Sequence, residues 1–402
     1  MGHGHSHRAG HDDEVEVRPI PRTLLLSLLA VALAVTVVGL VRLWPDGDKV
    51  DELKGSVSFA GEGVTFPEAT VEDVAPACEN LNVPAEGCGT LTVTVVDGAD
   101  KGAETQVQVP PQVTAAGLVK GDRVELIRTP AADDQPAAFA YFNIVRGQSL
   151  WLLLGLFALV VVAVARLRGL MALVGLAVAA AVVGFFVVPG LLTGESAVPV
   201  AVVGAVAIMY VVLFTTHGFS IRTSAALAGT LGGIAITAAL GAWAVGATHL
   251  TGITDEAGGV LTAYAGALDF QSLLVAAVVI AGLGVLNDVT ITQASAVWEL
   301  RGAAPEMSRA QIFASAMRIG RDHVASTIYT IVFAYVGTAL LLLLVVSLYD
   351  RPLVDLAGTE EIATEIVRSL TSSIGLVLAM PLTTAIAALT VPGPTSEPHT
   401  AG

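Results

Sequence analysis

The sequence predicts a membrane-embedded all-α bundle of eight transmembrane helices with a small extracytoplasmic β-barrel-like domain of the OB type. Three observations lead to this prediction. Only 14% of the 402 residues are charged, against about 25% in soluble globular proteins. Eight predominantly apolar runs approach the roughly 20 residues that one helix needs to cross a bilayer. Between the first two runs lies an acidic segment with strand-like alternation of polar and apolar residues.

Each apolar run is expected to form one span. The first is too long for a signal peptide and no A-x-A-like cleavage site follows it, so it is expected to be an anchor. The predicted organisation is a cytoplasmic tail (1–22), an anchor (23–43), an outer β domain (44–149), a seven-span membrane domain (150–391) and a second cytoplasmic tail (392–402). The runs are Thr23–Leu43, Leu150–Ala165, Leu170–Val188, Ala197–Phe214, Ala225–Gly246, Ser272–Leu286, Thr327–Leu348 and Ile366–Val391.

Arginines predict the orientation, because cytoplasmic connections are enriched in Arg and Lys. Arginine-bearing connections alternate with acidic ones, apart from Arg351 in an otherwise acidic connection. Both termini are therefore expected in the cytoplasm and residues 44–149 outside, in a bacterial plasma membrane. The arginines counted as cytoplasmic are Arg8, Arg18, Arg22, Arg166, Arg168, Arg222, Arg301, Arg309, Arg318 and Arg321.

The outer segment is predicted to form β structure. Thr90–Val96 alternates at period two and ends in Asp97-Gly98, a turn signal. Four to six short strands in about 100 residues favour a small OB-type barrel, with a generic β-sandwich as an equal alternative. The further strands expected are Thr105–Val109, Arg123–Arg128 and Phe139–Val145.

Charge and cysteine content narrow the chemistry of this segment. Between Asp46 and Arg146 there are 17 acidic and 7 basic residues, which argues against nucleic acid as a partner because phosphate binding needs clustered Lys and Arg. Cys78 and Cys88 are expected to form a local disulfide, since the outer compartment is oxidising. A protein partner is one expected role for this domain.

The most informative stretch follows the apolar run Ser272–Leu286. Asn287 and Asp288 begin it, and polar groups at membrane depth are costly and usually functional. Asp288, Thr292, Ser295 and Glu299 have helical spacing and would form one polar stripe. This stripe is predicted to couple transport to protons or cations. The alternative is that Asp288 only caps the start of a cytoplasmic helix.

Gly302–Asp322 is predicted to be an interfacial amphipathic helix with Ile312, Ala316 and Ile319 on its apolar face. Arg318 and Asp322 are four residues apart and could pair. Arg318 or Arg321 is also a candidate charge partner for Asp288. The alternative is a basic loop that only holds topology.

Several motifs after the sixth run carry a family resemblance. They are Gly284-Val285-Leu286-Asn287-Asp288-Val289, Ala294-Ser295-Ala296-Val297-Trp298-Glu299-Leu300-Arg301, Ile319-Gly320-Arg321-Asp322 and Ala334-Tyr335-Val336-Gly337. With these motifs and its layout, the chain resembles the YibE/F family of bacterial multi-pass membrane proteins over about Leu24–Val391. That resemblance implies a membrane protein and supplies no catalytic residues.

A weaker, motif-level similarity links the same region to SecF and related RND-type membrane modules. Those proteins have an Asn-Asp pair in a span, followed by an amphipathic cytoplasmic helix, which is similar to Asn287-Asp288 and Ser308–Arg318 here. The eight expected spans depart from their six. The similarity implies a proton-driven function by analogy only.

The N-terminal tail contains His3, His5, His7 and His11. Such tracts bind Zn²⁺, Ni²⁺ or Cu²⁺ through neutral imidazole, so adventitious or regulatory metal binding is expected and no resident cofactor is. The fifth run is glycine-rich, which predicts close helix packing. Its glycines are Gly229, Gly232, Gly233, Gly241 and Gly246.

The expected function is transport of a small solute or ion across the lipid bilayer, with Asp288 and its stripe as a proton-coupling site. The alternative is a membrane scaffold or export accessory that acts through its outer β domain. An enzyme is not expected, because neither a Gly-x-Gly-Asp pair nor a His-Glu-x-x-His motif occurs.

Overall fold

A computed structural model describes residues 19–56, 60–77, 88–131, 136–253, 258–259, 261–262, 268–348 and 351–394. The chain divides into two compact units. Val57–Ala163 is one unit and carries the β strands. Met1–Ser56 together with Val164–Gly402 is the other, and it carries most of the helices.

Helices make up most of the described chain. A π-helical turn, Val183–Val187, joins the fourth helix to the fifth. The helices are α1 Pro19–Arg42, α2 Gly47–Ser56, α3 Pro111–Thr114, α4 Gly147–Val182, α5 Val188–Leu192, α6 Ala197–His217, α7 Ile221–Thr248, α8 Phe270–Ala303, α9 Arg309–Thr338, α10 Leu340–Ser347, α11 Leu353–Leu356 and α12 Glu360–Thr390.

The expectation of eight spanning helices is not confirmed. In the described part of the chain, six helices are long and apolar enough to cross a membrane, and α9 with α10, bent by 63°, would make a seventh. Two expected spans lie in one helical stretch, Gly147–Leu192, of 46 residues. At 1.5 Å per residue, 46 residues in one straight helix would span about 69 Å, more than twice the roughly 30 Å of a bilayer core. Arg166 interrupts it with φ 54° and ψ −131°.

The helical unit is built around α7, α8 and α12. The predicted close packing of the glycine-rich run is confirmed at four of its five glycines, because a Cβ on Gly246 would meet nothing within 4 Å. A Cβ on Gly229 would lie closer to the side chain of Thr383 than any real contact, and one on Gly233 would lie 2.7 Å from Leu286. These glycines let α7 approach α12 and α8 closely.

The segment expected to be an interfacial helix is the first half of α9, which continues without interruption into the next apolar stretch. Ile312 and Ala316 are buried as expected, but Ile319 is exposed and Gly320 takes its place on the buried face. Gly302 and Ala303 belong to α8, and Ser308 caps α9 through a capping box with Gln311.

The β unit is one antiparallel sheet of five strands in the order β3-β2-β1-β4-β5, whose two edge strands lie side by side. It is therefore a nearly closed barrel-like sheet, as predicted, and not two packed sheets. The first strand was missed because three of its seven residues are acidic. The strands are β1 Glu68–Val74, β2 Thr90–Val95, β3 Glu104–Gln108, β4 Arg123–Thr129 and β5 Ala138–Ile144.

Alternation produces the barrel core. In β2, Leu91, Val93 and Val95 are buried while the three threonines that alternate with them are half-buried. Val71 of β1 and Val107 of β3 flank them in the same apolar cluster. Each fully buried side chain of this size contributes about 1.5–3 kcal/mol. The period-two pattern is thus what fixes the register of the sheet.

Candidate functional site

Asp288 lies in the interior of α8. The helix begins at Phe270, and Asp269 caps it by accepting a hydrogen bond from the Ser272 backbone N–H at 3.2 Å. The Ser272 hydroxyl also donates to Asp269, and this bond is the main cause of the lowered pKa of Asp269. Asp288 follows eighteen residues after Phe270, so the alternative that it caps a helix is wrong.

The neighbour of Asp288 is His323 of α9. Asp288 Oδ2 lies 3.4 Å from His323 Nε2. This is an electrostatic contact without hydrogen-bond geometry, because His323 Nε2 has no hydrogen-bond partner among the described residues. Other protein atoms leave 62% of the Asp288 side chain and 31% of the His323 side chain uncovered. Two proton-binding groups from adjacent helices are therefore paired on a flank of the bundle.

The predicted polar stripe lies on that same flank. Thr292 and Ser295 are half-buried and Glu299 is exposed. The buried face of α8 carries Thr290 and Gln293 instead, both fully enclosed. The helical spacing was read correctly, but the polar groups that enter the bundle are one and two residues away from the predicted ones.

The enclosed side chains make polar contacts across the core. Thr290 Oγ1 lies 2.7 Å from Thr230 Oγ1 of α7. Gln293 Oε1 accepts a hydrogen bond from the Thr384 hydroxyl of α12 at 3.0 Å. Thr230 and Thr384 are fully buried as well. Hydrogen bonds between helices thus join α7, α8 and α12 close to the level of Asp288.

Three buried polar atoms at or near the Asp288–His323 contact have no hydrogen-bond partner among the described residues. They are Asn287 Oδ1, Gln293 Nε2 and His323 Nε2. An unpaired buried polar atom costs about 1–3 kcal/mol. Such groups are usually paired in native proteins, so unpaired ones point to a functional position. Asn287 and Asp288 together present one enclosed acceptor and one accessible carboxylate.

The other predicted site residues do not reach Asp288. The guanidinium of Arg318 donates to Ser315 Oγ at 2.7 Å, and no Arg318–Asp322 ion pair occurs among the described residues. Arg321 and Asp322 are exposed. The possible Arg318–Asp322 pair is not formed, and His323 contacts Asp288 where Arg318 or Arg321 was a candidate partner.

Sequence reasoning missed three groups. His323 directly follows Asp322, where the predicted amphipathic helix ended. Gln293 lies between two of the family motifs and is not among the predicted site residues. The third group is an ion pair on α12, Arg368 NH1 to Glu365 Oε1 at 2.9 Å. Arg368 is the one charged residue in the predicted run Ile366–Val391, and that alone marks it as a candidate.

The predicted metal and disulfide sites fall wholly or partly outside the described residues. His3, His5, His7 and His11 lie outside them, as does Cys78, so both remain predictions. Cys88 lies just before β2. Within the described ranges, no cluster of three His, Cys, Asp or Glu side chains could hold a metal ion.

Comparison with known proteins agrees with the helical architecture around Asp288. The model of the family described as YibE/F-like protein matches residues 153–393, which include α5–α12 and both the Asp288–His323 and Glu365–Arg368 pairs. No curated protein and no solved structure matches the chain significantly. With several membrane-spanning helices and this match over more than half of its length, the chain is a multi-pass membrane protein that belongs to the YibE/F family.

Proposed function

We propose that this protein is a proton-coupled transporter in which Asp288 and His323 form the coupling site. The observation that carries the proposal is the 3.4 Å contact between these side chains, which come from two different helices. Carboxyl and imidazole side chains can each carry a proton. A proton bound at this contact would therefore change the charge between α8 and α9.

The charge state of the pair would decide how well it tolerates a membrane environment. An ionised Asp288 beside a protonated His323 is neutral overall. Loss of the proton leaves an uncompensated carboxylate, and charges in the bilayer are costly. The protonated and deprotonated pairs would thus be most stable in different environments. A movement of α8 relative to α9 would change that environment.

The core around the pair supports such a movement. Gln293 and Asn287 each keep one enclosed atom unpaired, and Thr230, Thr290 and Thr384 offer hydroxyls that can exchange partners. A second arrangement of α8 would pair atoms that are unpaired here. Leaving such an atom unpaired costs about 1–3 kcal/mol, so a shift of α8 that pairs these atoms offsets part of the cost of the movement.

We also propose the finer membrane topology. Splitting Gly147–Leu192 at Arg166 and counting α9 with α10 as one bent span gives eight spans. Alternate connections then carry arginine, with both termini in the cytoplasm and residues 44–149 outside a bacterial plasma membrane. Cysteine accessibility at Ser56 and Glu306, probed from each side of the membrane, tests this: the two positions should label from opposite sides.

Proton flux into proteoliposomes under an imposed pH gradient tests the function. The native protein should carry protons, and Asp288→Asn should abolish the flux, because an amide cannot take up the proton. Glu306→Gln is the matched control, since it removes an exposed acid from the loop after α8, and it should retain flux. Equal flux in the native protein and Asp288→Asn would refute the coupling role.

A scaffold function remains the second candidate. The observation that favours it is that Val57–Ala163 forms a compact unit with its own core, as partner-binding domains do. In this case the barrel binds a protein partner and the bundle carries no solute. Absence of proton flux in the native protein, together with a partner captured by the full-length chain and lost when barrel surface residues are changed, would favour this function.

A further inference from the structure

We propose that Glu365 and Arg368 of α12 form a binding site for a small zwitterionic solute of the free amino acid type. The site is distinct from the Asp288–His323 pair, whose neighbour Gln293 contacts the C-terminal half of α12. Arg368 and Met380, which lies beside Gln293, are twelve residues apart, or about 18 Å along the axis. The existence of this binding site does not depend on the proposed function. The further claim that the same class of solute is transported rests on the proposed function.

Arg368 is on the face of α12 that enters the bundle. Thr364 and Ser372, one helical turn to either side of it, are 3% and 5% exposed. Gly375 on the same face contacts Thr237 of α7, because a Cβ built on the glycine would overlap the threonine hydroxyl. The guanidinium therefore lies on the inward side of the helix, where a charge is retained only for a reason.

The ion pair leaves hydrogen-bonding capacity unused. One N–H of Arg368 donates to Glu365 Oε1 at 2.9 Å, whereas Arg368 Nε and Glu365 Oε2 have no partner among the described residues. Three hydroxyls nearby are also enclosed and unpartnered: Thr237, Thr364 and Ser372. Each side chain of the pair remains 26% exposed through its other atoms, so a solute can reach the pair from that side and must uncover the enclosed atoms to bond with them.

This chemistry matches a ligand that has both charges. The pair is neutral overall, so an anion bound to Arg368 would be repelled by Glu365, and a cation bound to Glu365 would be repelled by Arg368. A zwitterion satisfies both: its carboxylate accepts from guanidinium N–H groups that Glu365 does not use, and its ammonium donates to the second oxygen of Glu365 when binding uncovers that oxygen. The unpartnered hydroxyls can add neutral hydrogen bonds.

Thermal unfolding of the purified full-length protein, followed by tryptophan fluorescence, tests the site. Glycine and leucine at 10 mM are the zwitterions; acetate and methylammonium carry one charge each. At a Kd near 1 mM, a zwitterion should raise Tm by about 3 °C, and neither single-charge probe should. Glu365→Gln and Arg368→Gln should lose the shift. Arg351→Gln, an exposed arginine outside the helices, should keep it.

Three results would overturn the proposal: no shift with either zwitterion, an equal shift with acetate or methylammonium, or an unchanged shift in both glutamine variants. If a glutamine variant fails to fold, Arg368→Lys is the alternative. It preserves the charge but not the planar guanidinium with its several N–H donors, and it should reduce the rise in Tm. The measurement uses no gradient. A zwitterion shift in a protein without proton flux therefore contradicts the transport proposal and leaves the binding site intact.

Discussion

Helix α9 crosses α8 at Gly320, which lies directly over Gln293. A Cβ built on Gly320 would lie 2.3 Å from Gln293 Nε2 and 2.7 Å from the sulfur of Met380. Real Cβ atoms do not come this close to their neighbours, so only glycine fits while Gln293 keeps its hydrogen bond to Thr384. This crossing sets the distance between α8 and α9, and with it the contact between Asp288 and His323 three residues further along α9.

The first prediction follows from this crossing. Gly320→Ala should lower Tm by several degrees and reduce proton flux, since Gln293 must leave Thr384 or α9 must shift away. Gly284→Ala is the matched control, because a Cβ there would meet nothing within 4 Å. Alanine favours a helix over glycine by about 1 kcal/mol, so the control should not be destabilised. Equal losses in both variants would show that the close approach at Gly320 has no special role.

The second prediction concerns the pair itself. Asp288→Asn and His323→Gln should each reduce proton flux strongly, and the double variant should lose little more than the more affected single variant, because both changes remove one interaction. Flux under an imposed pH gradient is the measurement, with reconstituted protein matched between samples. Losses that multiply in the double variant would mean that the two side chains act independently.

Periodicity predicted much of this architecture. The alternation in β2, the glycines of α7 and the helical spacing of Asp288 and Thr292 all appear in the structure as expected. Local patterns of this kind report which residues share a face. They predict the element and its faces well when the packing of that element is itself regular.

The partners across helices could not be predicted in this way. Asp288 and His323 are 35 positions apart, and which residue of α9 faces Asp288 depends on how two helices rotate about their axes. Gln293 is buried and Glu299 exposed on one helix for the same reason. The acidic strand β1 was missed because its outward residues are charged, while Ala69 and Val71 supply its buried side.

The third prediction concerns the break in α4. Arg166 has φ 54°, in the left-handed region that glycine enters freely and other residues enter at a cost of about 1–3 kcal/mol. Arg166→Gly should therefore preserve or raise Tm. Arg168→Gly, two residues later within the regular helix, should lower it, since glycine there costs about 1 kcal/mol. The comparison is decisive because both variants remove one arginine. A lower Tm for Arg166→Gly than for Arg168→Gly would show that the backbone at Arg166 is not strained.

The last prediction concerns the cap of α8. Hydrogen bonds from the Ser272 hydroxyl and backbone lower the pKa of Asp269 in the folded protein. A carboxyl with a lowered folded pKa contributes stability above its unfolded pKa and loses that contribution as pH falls through the folded value.

Asp269→Asn keeps a capping oxygen that does not titrate. The Tm of the native protein should therefore exceed that of Asp269→Asn at pH 7, and the difference should shrink as the pH is lowered below about 4. Asp269→Ala, which has no cap, should be less stable than the native protein by about 1 kcal/mol. A Tm difference between native protein and Asp269→Asn that stays constant from pH 7 to pH 3 would show that the carboxylate charge adds nothing to the cap.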